Sequence, residues 1–567
     1  MTARILLIFV LTFTAFLSAN ERPAKPNVVL ILVDDLGWQD VGCYDLDKPC
    51  PFDTPHLDRL AKKGIQFWQG YSPAPTCAPT RCAILSGKHP ARLQKTHVVG
   101  GNPPTPHSKN SPLIEPWYSG RMKTAEVTIA EALQSNGYTT GCVGKWHCAI
   151  NHHAFPQPKD QGFTVSHMNL GATRSMSPDR LSNFATTDED DPYRLDENGI
   201  PFHQNSEDAI NFVKDHKSDP FFLYYATWLV HTPIHSRSKA LLEKYCEKMG
   251  VPYPTDPKGW NEPGQNNPYY GAMVEMLDDY VGQLVTYLEE TEDPRWAGHK
   301  LIENTYIIFT SDNGGMEGKP GEIITDNYPL DKGKINAKEG GVRVPLMITG
   351  PGIEAGQQSD AMINGLDFYP TILAWTGTEK PAEQQLDGLD ISEFVKSDNL
   401  TNSALGRDTM FWHFPNSAAM QSTIRVGNYK LIRNWRGHLH PNQNGLELYQ
   451  LYDEKGDRVD IEEANNLAIK QPELAEDLDS QLQELLDSMD ASPAYWNPRH
   501  VSKIPGKEGI PTVTAESRDG NKVTVTFESN GNQVTEAHLL YTDNGGHKYE
   551  EWYRLPAKLN ANGTVEA

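Results

Sequence analysis

Four oxygen-bearing side chains stand in two pairs. Asp34-Asp35 closes the apolar run 27–33, and Asp312-Asn313 follows the run 305–310 after a single serine. A lone Asp behind a strand serves as a turn residue or helix cap. Two such pairs behind two buried strands ask for more, because ligands of open α/β sheets bind outside the carboxyl ends of the strands. Hard oxygen donors gathered there suit Ca²⁺, with Mg²⁺ as the alternative, whereas zinc takes more histidine and cysteine. The expected chemistry is the handling of an anionic group at a bound cation.

The elements that must position these residues can be read from periodicity. The runs 27–33, 139–144, 221–225, 305–310 and 344–348 are apolar and β-branched or aromatic, the pattern of strands buried on both faces. Between them lie helical signals. Thr54-Pro55 opens a short helix with Leu57, Leu60 and Ala61 that stops at Gly64. Thr128 and Glu131 form a capping box for a helix ending at Gly137. Met273, Leu277, Val281, Leu284 and Leu288 stripe one face of a long helix over 269–289. Strands alternating with helices predict an α/β fold, a mostly parallel central sheet sandwiched by helices. After residue 405 the pattern changes. Short β-like pieces (409–414, 423–433, 446–452) and a helix carrying Leu474, Leu478, Leu482 and Leu485 predict a smaller α+β subdomain over 406–505. Residues 511–567 read as a β-rich tail with a hairpin at Asp519-Gly520. The turn signal Asn562-Gly563 calls for one more strand close to Ala567, which suggests a truncated tail.

The chain has 567 residues and a net charge of −23, which argues against nucleic acid or an anionic membrane as a partner held by bulk electrostatics. A local pocket can still oppose that sign. Arg4, the apolar run 5–17 and Ser18-Ala19-Asn20 have the form of a secretory signal peptide over 1–20, leaving residues 21–405 as the main domain. The run is short for a spanning helix, so the expectation is an exported protein, periplasmic or extracellular, without a membrane anchor. Seven cysteines, an odd number, leave at least one without an internal partner.

One of the seven lies in a distinctive segment. Cys77-x-Pro79-Thr80-Arg81, followed by Leu85-Ser86-Gly87-Lys88, resembles the signature of the formylglycine-dependent sulfatases, of the alkaline phosphatase superfamily. The rest of the chain matches that family in order. Asn27 to Gly37 resembles its first metal segment, Gly144-Lys145-Trp146-His147 its GKWH segment, and His231-Thr-Pro233 its active-site histidine. Thr310 to Gly314 resembles the second metal segment, and Gly333-Lys334 with Glu339-Gly340-Gly341 the second lysine segment. The likeness runs from about 25 to 490 and excludes the tail.

The resemblance implies roles. A maturation enzyme oxidises Cys77 to formylglycine, whose hydrated form, a geminal diol, is the nucleophile; this leaves six thiols. Asp34, Asp35, Asp312, Asn313 and the modified Cys77 hold the cation. Arg81 and Lys145 stabilise the diol; Lys145, His231 and Lys334 grip the sulfate; His147 helps regenerate the aldehyde. The family more often has two glycines before its lysine, and here Lys332 replaces the first, so Lys332 and Lys338 stay open as alternates to Lys334. Substrate contacts are sought at His235, in Trp412-His413-Phe414, and in the series Arg425, Arg433, Arg436, His438, His440. The implied substrate is a sulfated polysaccharide or oligosaccharide. The competing readings are a phosphodiester or phosphonate monoester hydrolase of the same superfamily and a non-catalytic binder of sulfated glycan.

Overall fold

In a computed structural model the described residues are 21–567, apart from 99–100, 102, 104–110, 151–153, 169–183, 255–259, 320, 418, 439–444, 501–506 and 548–549. The signal-peptide expectation over 1–20 and His440 lie outside the described residues. The chain lays down β1 (Asn27–Val33), α1 (Pro55–Lys62), β2 (Ile65–Phe67), α2 (Cys77–Ser86), α3 (Ile129–Ser135), β3 (Thr139–Gly144), β4 (Val165–His167), α4 (Gln204–His216), β5 (Phe221–Ala226), α5 (Pro268–Glu290), β6 (Thr305–Ser311), β7 (Leu346–Thr349), β8 (Gln357–Ser359) and α6 (Phe368–Thr376). Its strands form one eight-stranded sheet in the order β8-β2-β7-β6-β1-β5-β3-β4. β1 lies at its centre, parallel to β5 and β6. β7 is antiparallel to both its neighbours, β2 and β6.

The sheet is covered on both faces, so β1 is buried at every position. Val29, Ile31 and Val33 join Leu57 of α1, Phe212 of α4 and Met273 and Leu277 of α5 on one face. Val28, Leu30 and Leu32 join Leu85 of α2, Ile129 of α3 and Ile372 of α6 on the other. Each such aliphatic side chain contributes roughly 1.5–3 kcal/mol on burial. The two cores hold the strand ends in fixed relation.

A second, antiparallel sheet follows: β9 (Thr409–Phe414), β10 (Gln421–Val426), β11 (Tyr429–Asn434) and β12 (Leu446–Gln450). The single β-like piece expected over 423–433 is in fact the hairpin β10-β11, turned at Gly427 (φ 53°) and Asn428. Helix α7 (Pro472–Ser488) buries Leu478, Leu482 and Leu486 on this sheet. In the tail, β13 (Thr512–Asp519) and β14 (Lys522–Glu528) form the hairpin expected at Asp519-Gly520. After β15 (His538–Tyr541), β16 (Tyr553–Pro556) and β17 (Lys558–Asn560), the strand expected beyond Asn562-Gly563 is present as β18 (Thr564–Glu566), paired with β14 and β17. No helix among the described residues is long and apolar enough to cross a membrane.

Candidate active site

Four neighbouring parallel strands, β6-β1-β5-β3, deliver chemistry at one edge. Asp312 and Asn313 follow β6, Asp34 and Asp35 follow β1, His231 lies five residues past β5, and Lys145 and His147 follow β3. The main chain is pinned there: Asp312 N–H donates to the Val33 carbonyl (3.0 Å) and Asp34 N–H to the Leu229 carbonyl (3.0 Å). Ser311 Oγ accepts from Leu36 N–H (3.0 Å) and donates to the Asn313 carbonyl (2.8 Å). Asp35 is held at φ 65°, an uncommon conformation for a non-glycine residue and one that clusters at functional sites. Gly144 has φ 97°, and a Cβ there would lie 2.1 Å from the Ala226 carbonyl, so glycine is what lets Lys145 enter.

Helix α2 supplies the other side. It is buried over its whole length and begins at Cys77; Arg81, four residues on, shares the face of Cys77. Arg81 Nε donates to Asp312 Oδ2 (2.8 Å) and Nη1 to the Lys145 carbonyl (3.0 Å), while Nη2 stands 3.8 Å from Asp34. Lys145 Nζ donates to Asp34 Oδ2 (2.5 Å) and Lys334 Nζ to Asp35 Oδ2 (2.7 Å). Asn313 Nδ2 donates to Asp35 Oδ1 (2.9 Å), and His231 Nε2 stands 3.7 Å from Asp35.

Burial and these neighbours set the protonation states. Burial alone would raise the Asp34 carboxyl, but Lys145, His231, Arg81 and Lys334 together hold it well below the usual range. Asp312 goes the other way: burial and the nearby Asp34 push it up to about 7, against the pull of Arg81. Burial lowers His231, outweighing the attraction of Asp34. Lys334 is raised because Asp35 overcomes its burial. Burial pushes the Cys77 thiol up to about 12, which leaves it protonated and weakly nucleophilic as a cysteine.

The donor set fits a hard cation. Ligand atoms of Asp34, Asp35, Cys77 and His231 all lie within 4.8 Å of one another. Asp34 Oδ1 and Asn313 Oδ1 are buried and accept no hydrogen bond among the described residues. An orphaned buried acceptor costs about 1–3 kcal/mol, and a divalent ion ligated by these oxygens removes that cost. Three carboxylates balance the three fixed cations Arg81, Lys145 and Lys334, so a divalent ion leaves the centre positive toward an anionic substrate.

Asp34, Asp35, Cys77, Arg81, Lys145, His231, Asp312, Asn313 and Lys334 thus come together. His147 is half-buried, two residues beyond Lys145, at φ 54°. Of the three candidate lysines, Lys334 is the one that reaches Asp35; Lys332 and Lys338 turn to Asp331 (3.4 and 2.7 Å). Four of the expected substrate contacts, His413, Arg425, Arg433 and His235, are turned into the fold. His413 is buried between Ser422 Oγ (2.8 Å) and the Ser492 carbonyl (3.0 Å), and burial drives its pKa down to about 3. Arg425 is turned inward, donating to the Gly427 carbonyl (3.2 Å) and to Tyr71 Oη. Arg433 is spent on Asp479 and Gln483 (both 2.6 Å), and His235 is buried, its backbone N–H donating to Met273 Sδ (3.4 Å). Trp228, which the sequence reading passed over, places its ring 5.0 Å from Lys145 Nζ; its position two residues past β5 was the available signal. Beside Lys334 opens a cavity of about 410 Å³, lined by Met316, Glu317, Lys332, Ile335, Asn336 and Ala419 among others.

None of the seven cysteines is in a disulfide. The Cys82 and Cys148 thiols, from α2 and the loop after Lys145, are both buried in the interior, and Cys148 Sγ donates to the Trp146 carbonyl (3.5 Å).

Comparison with known proteins agrees with this arrangement. Residues 26–378 match the sulfatase family, and residues 331–491 match the C-terminal region of the N-sulphoglucosamine sulphohydrolase family. The chain is 28% identical to human N-acetylgalactosamine-6-sulfatase over 71% of its length and 74% of that protein's. It is 27% identical to a sulfatase of Formosa agariphila over 86% of its length and 93% of that protein's. Among solved structures, Ps i-CgsB superposes with a TM-score of 0.59 at 25% identity, covering 82% of this chain and 93% of that one; it has also been solved with k-i-k-neocarrahexaose. The fold is alkaline-phosphatase-like, and the chain belongs to the formylglycine-dependent sulfatase family, making it a sulfuric ester hydrolase.

Proposed function

We propose that this protein is exported and hydrolyses sulfate esters of a polysaccharide or its oligosaccharides, with formylglycine made from Cys77 by a maturation enzyme as nucleophile. One observation carries the reading: Cys77 stands with Asp34, Asp35 and His231 inside a 4.8 Å cluster, ringed by Arg81, Lys145 and Lys334. Its Sγ marks the place of the diol oxygens. A thiol held protonated by burial is an unsuitable nucleophile, which favours conversion to a diol. The carbohydrate class is supported by relatives, one named for a sulfated amino sugar and another solved with a neocarrahexaose.

The roles are those the family resemblance implies, and the positions of these side chains support them. The cation, Ca²⁺ with Mg²⁺ as the alternative, would be held by Asp34, Asp35, Asp312, Asn313 and residue 77, and supplies charge neutralisation and polarisation of a sulfate oxygen when bound. Asp312 is placed to accept the proton of the attacking hydroxyl. Arg81 and Lys145 hold the diol oxygens. Lys145, His231 and Lys334 grip the sulfate, and His231 or Lys334 protonates the leaving sugar oxygen. His147 then takes the proton of the second hydroxyl. The carbon–oxygen bond to sulfate breaks and the aldehyde re-forms, a step that an ordinary serine or cysteine has no second hydroxyl to perform.

The test is the mass of the tryptic peptide Gly64–Arg81 from protein co-produced with a maturation enzyme, coupled to desulfation of an oligosaccharide panel. The expected result is an aldehyde at position 77, sulfate release, and loss of release in Cys77→Ala. An intact thiol beside an active maturation enzyme, or faster turnover of phosphate diesters than of aryl sulfates, would overturn it.

A further inference from the structure

Lys334 reaches Asp35 from a loop that is strained on both sides of it. Lys332 has φ 63° and Ile335 φ 65°. This region suits glycine, and a β-branched residue there is an outlier. Gly333 between them is glycine for a different reason: a Cβ would lie 2.1 Å from the Gly315 carbonyl. The loop therefore keeps glycine where space demands it and carries side chains where the backbone favours having none. Both side chains are exposed, and Lys332 is drawn to Asp331 and Glu317. Ile335 is 40% exposed. The Lys332 side chain is 54% exposed and stands 3.4 Å from Asp331, whose carboxylate is already engaged by Lys338 at 2.7 Å. Both residues line the cavity beside Lys334, together with Glu317 and Asn336. Strain maintained where side chains enter a cavity next to the reacting group points to recognition.

We propose that Lys332 and Ile335 select the substrate. The cavity takes the sugar ring that carries the scissile sulfate, with an apolar face of the ring on Ile335. Lys332 binds a second anionic group on the same glycan, either another sulfate or a carboxylate. Glu317, a carboxylate on the same wall, attracts Lys332 and gives it up to that anion, while Asn336 offers an amide to ring hydroxyls. The exposed ammonium of Lys332 gives the cavity a positive group that can exchange its 3.4 Å pairing with Asp331 for the substrate's second anion, which is what discrimination for a doubly anionic sugar requires. This inference rests on the sulfatase reading above and names its substrate class.

The experiment measures kcat and KM of the matured, Ca²⁺-loaded protein on three disaccharides: one with the scissile sulfate alone, one with a second sulfate and one with a uronate carboxylate. The expected result is a kcat/KM about tenfold higher for one doubly anionic substrate than for the singly anionic one, the size of one charge-assisted contact. Lys332→Gly, which the backbone accommodates, brings that ratio close to one through KM, and Lys332→Arg restores part of it. The substrate whose advantage disappears identifies the second anion as sulfate or carboxylate. Ile335→Gly raises KM on all three alike. If the wild type shows no preference, or Lys332→Gly leaves the ratio unchanged while aryl sulfate is still turned over, this inference alone fails. If matured protein turns over no sulfate ester, aryl sulfate included, the sulfatase reading fails with it.

Discussion

Two clusters of buried charge lie on either side of the loop that carries Lys334. At the strand ends, Asp34, Asp35 and Asp312 face Arg81, Lys145 and Lys334. Behind the loop, Glu339 and Glu463 face Lys430, with Arg343 and Arg425 close by. The residue types are nearly the same, and both clusters are almost fully removed from water. They differ in how closely their acceptors are met by donors and cations. In the second, Glu339 Oε1 meets Lys430 (2.9 Å) and Oε2 accepts from Tyr71 Oη (2.8 Å). Glu463 Oε1 faces Lys430 (3.1 Å) and Oε2 accepts Glu339 N–H (2.6 Å). Each of the four carboxylate oxygens has a donor or the Lys430 ammonium within 3.1 Å, although Glu463 Oε1 meets Lys430 as an ion pair without a hydrogen bond, and the result is a clamp between the Lys334 loop and β11. In the first, Asp34 Oδ1 and Asn313 Oδ1 are left over beside Cys77. Buried charge is open to a ligand where an acceptor stands away from its nearest cation, as Asp34 Oδ1 does at 3.8 Å, and is a structural tie where each acceptor is closely met.

That contrast breaks if the open cluster proves structural. Cys77→Ala should lower kcat/KM by about 10⁴-fold or more, with circular dichroism and Tm unchanged, because it removes the nucleophile and no packing partner of size. Lys334→Ala should cost roughly 10²–10³-fold in turnover and leave Tm within a few degrees of wild type. The closed cluster should behave in the opposite way. Lys430→Met strands two buried carboxylates and should cost about 3–5 kcal/mol in denaturant unfolding, with the folded fraction still turning over substrate. A large stability loss in Lys334→Ala, or none in Lys430→Met, would erase the distinction.

Cation removal sharpens it further. Dialysis against a chelator should abolish turnover and lower Tm, since an ion bound at about a hundredfold above its Kd stabilises by about 2.7 kcal/mol. Both should return with Ca²⁺. Asn313→Ala should weaken that response while Lys430→Met leaves it intact, measured as the shift in Tm per added Ca²⁺.

The open cluster was legible in the sequence because its members sit directly behind continuous apolar runs or inside one helical motif. β1 and β6 announce themselves by seven buried residues each, and the acidic pairs follow at once. The direction of β7 was not legible, since an apolar run carries no sign; the strand begins at Leu346 because Pro345 has no N–H to give a ladder. Arg425 and His413 misled for a physical reason. Polar residues alternating along a strand normally mark a solvated face, but both faces of the C-terminal sheet are covered: Arg425 meets Tyr71 of the main body on one, and His413 meets Ser422 and the Ser492 carbonyl on the other, where α7 packs. Burial at such an interface leaves no trace in local periodicity. Spacing likewise left Lys332, Lys334 and Lys338 open, because the left-handed turn that aims Lys334 and not its neighbours at Asp35 is carried by non-glycine residues.

The smallest expected effect concerns the closed cluster alone. Burial, with Glu339 adding to it, pushes Glu463 up to about 7 against the pull of Lys430, whereas an unfolded glutamate titrates near 4.3. The folded state therefore holds this proton more tightly. The resulting stabilisation is complete below about pH 4 and is lost as pH rises through about 7. Glu463→Gln keeps an acceptor for Glu339 N–H and removes the titration. Between pH 5 and pH 8 the unfolding free energy of the wild type should fall relative to that of the variant by on the order of 1–3 kcal/mol, read from urea melts at matched ionic strength. A difference that stays flat across this range would mean that Glu463 is already ionised at pH 5. The closed cluster would then hold both carboxylates charged around Lys430, and close ion pairing, rather than a retained proton, would be what keeps it closed.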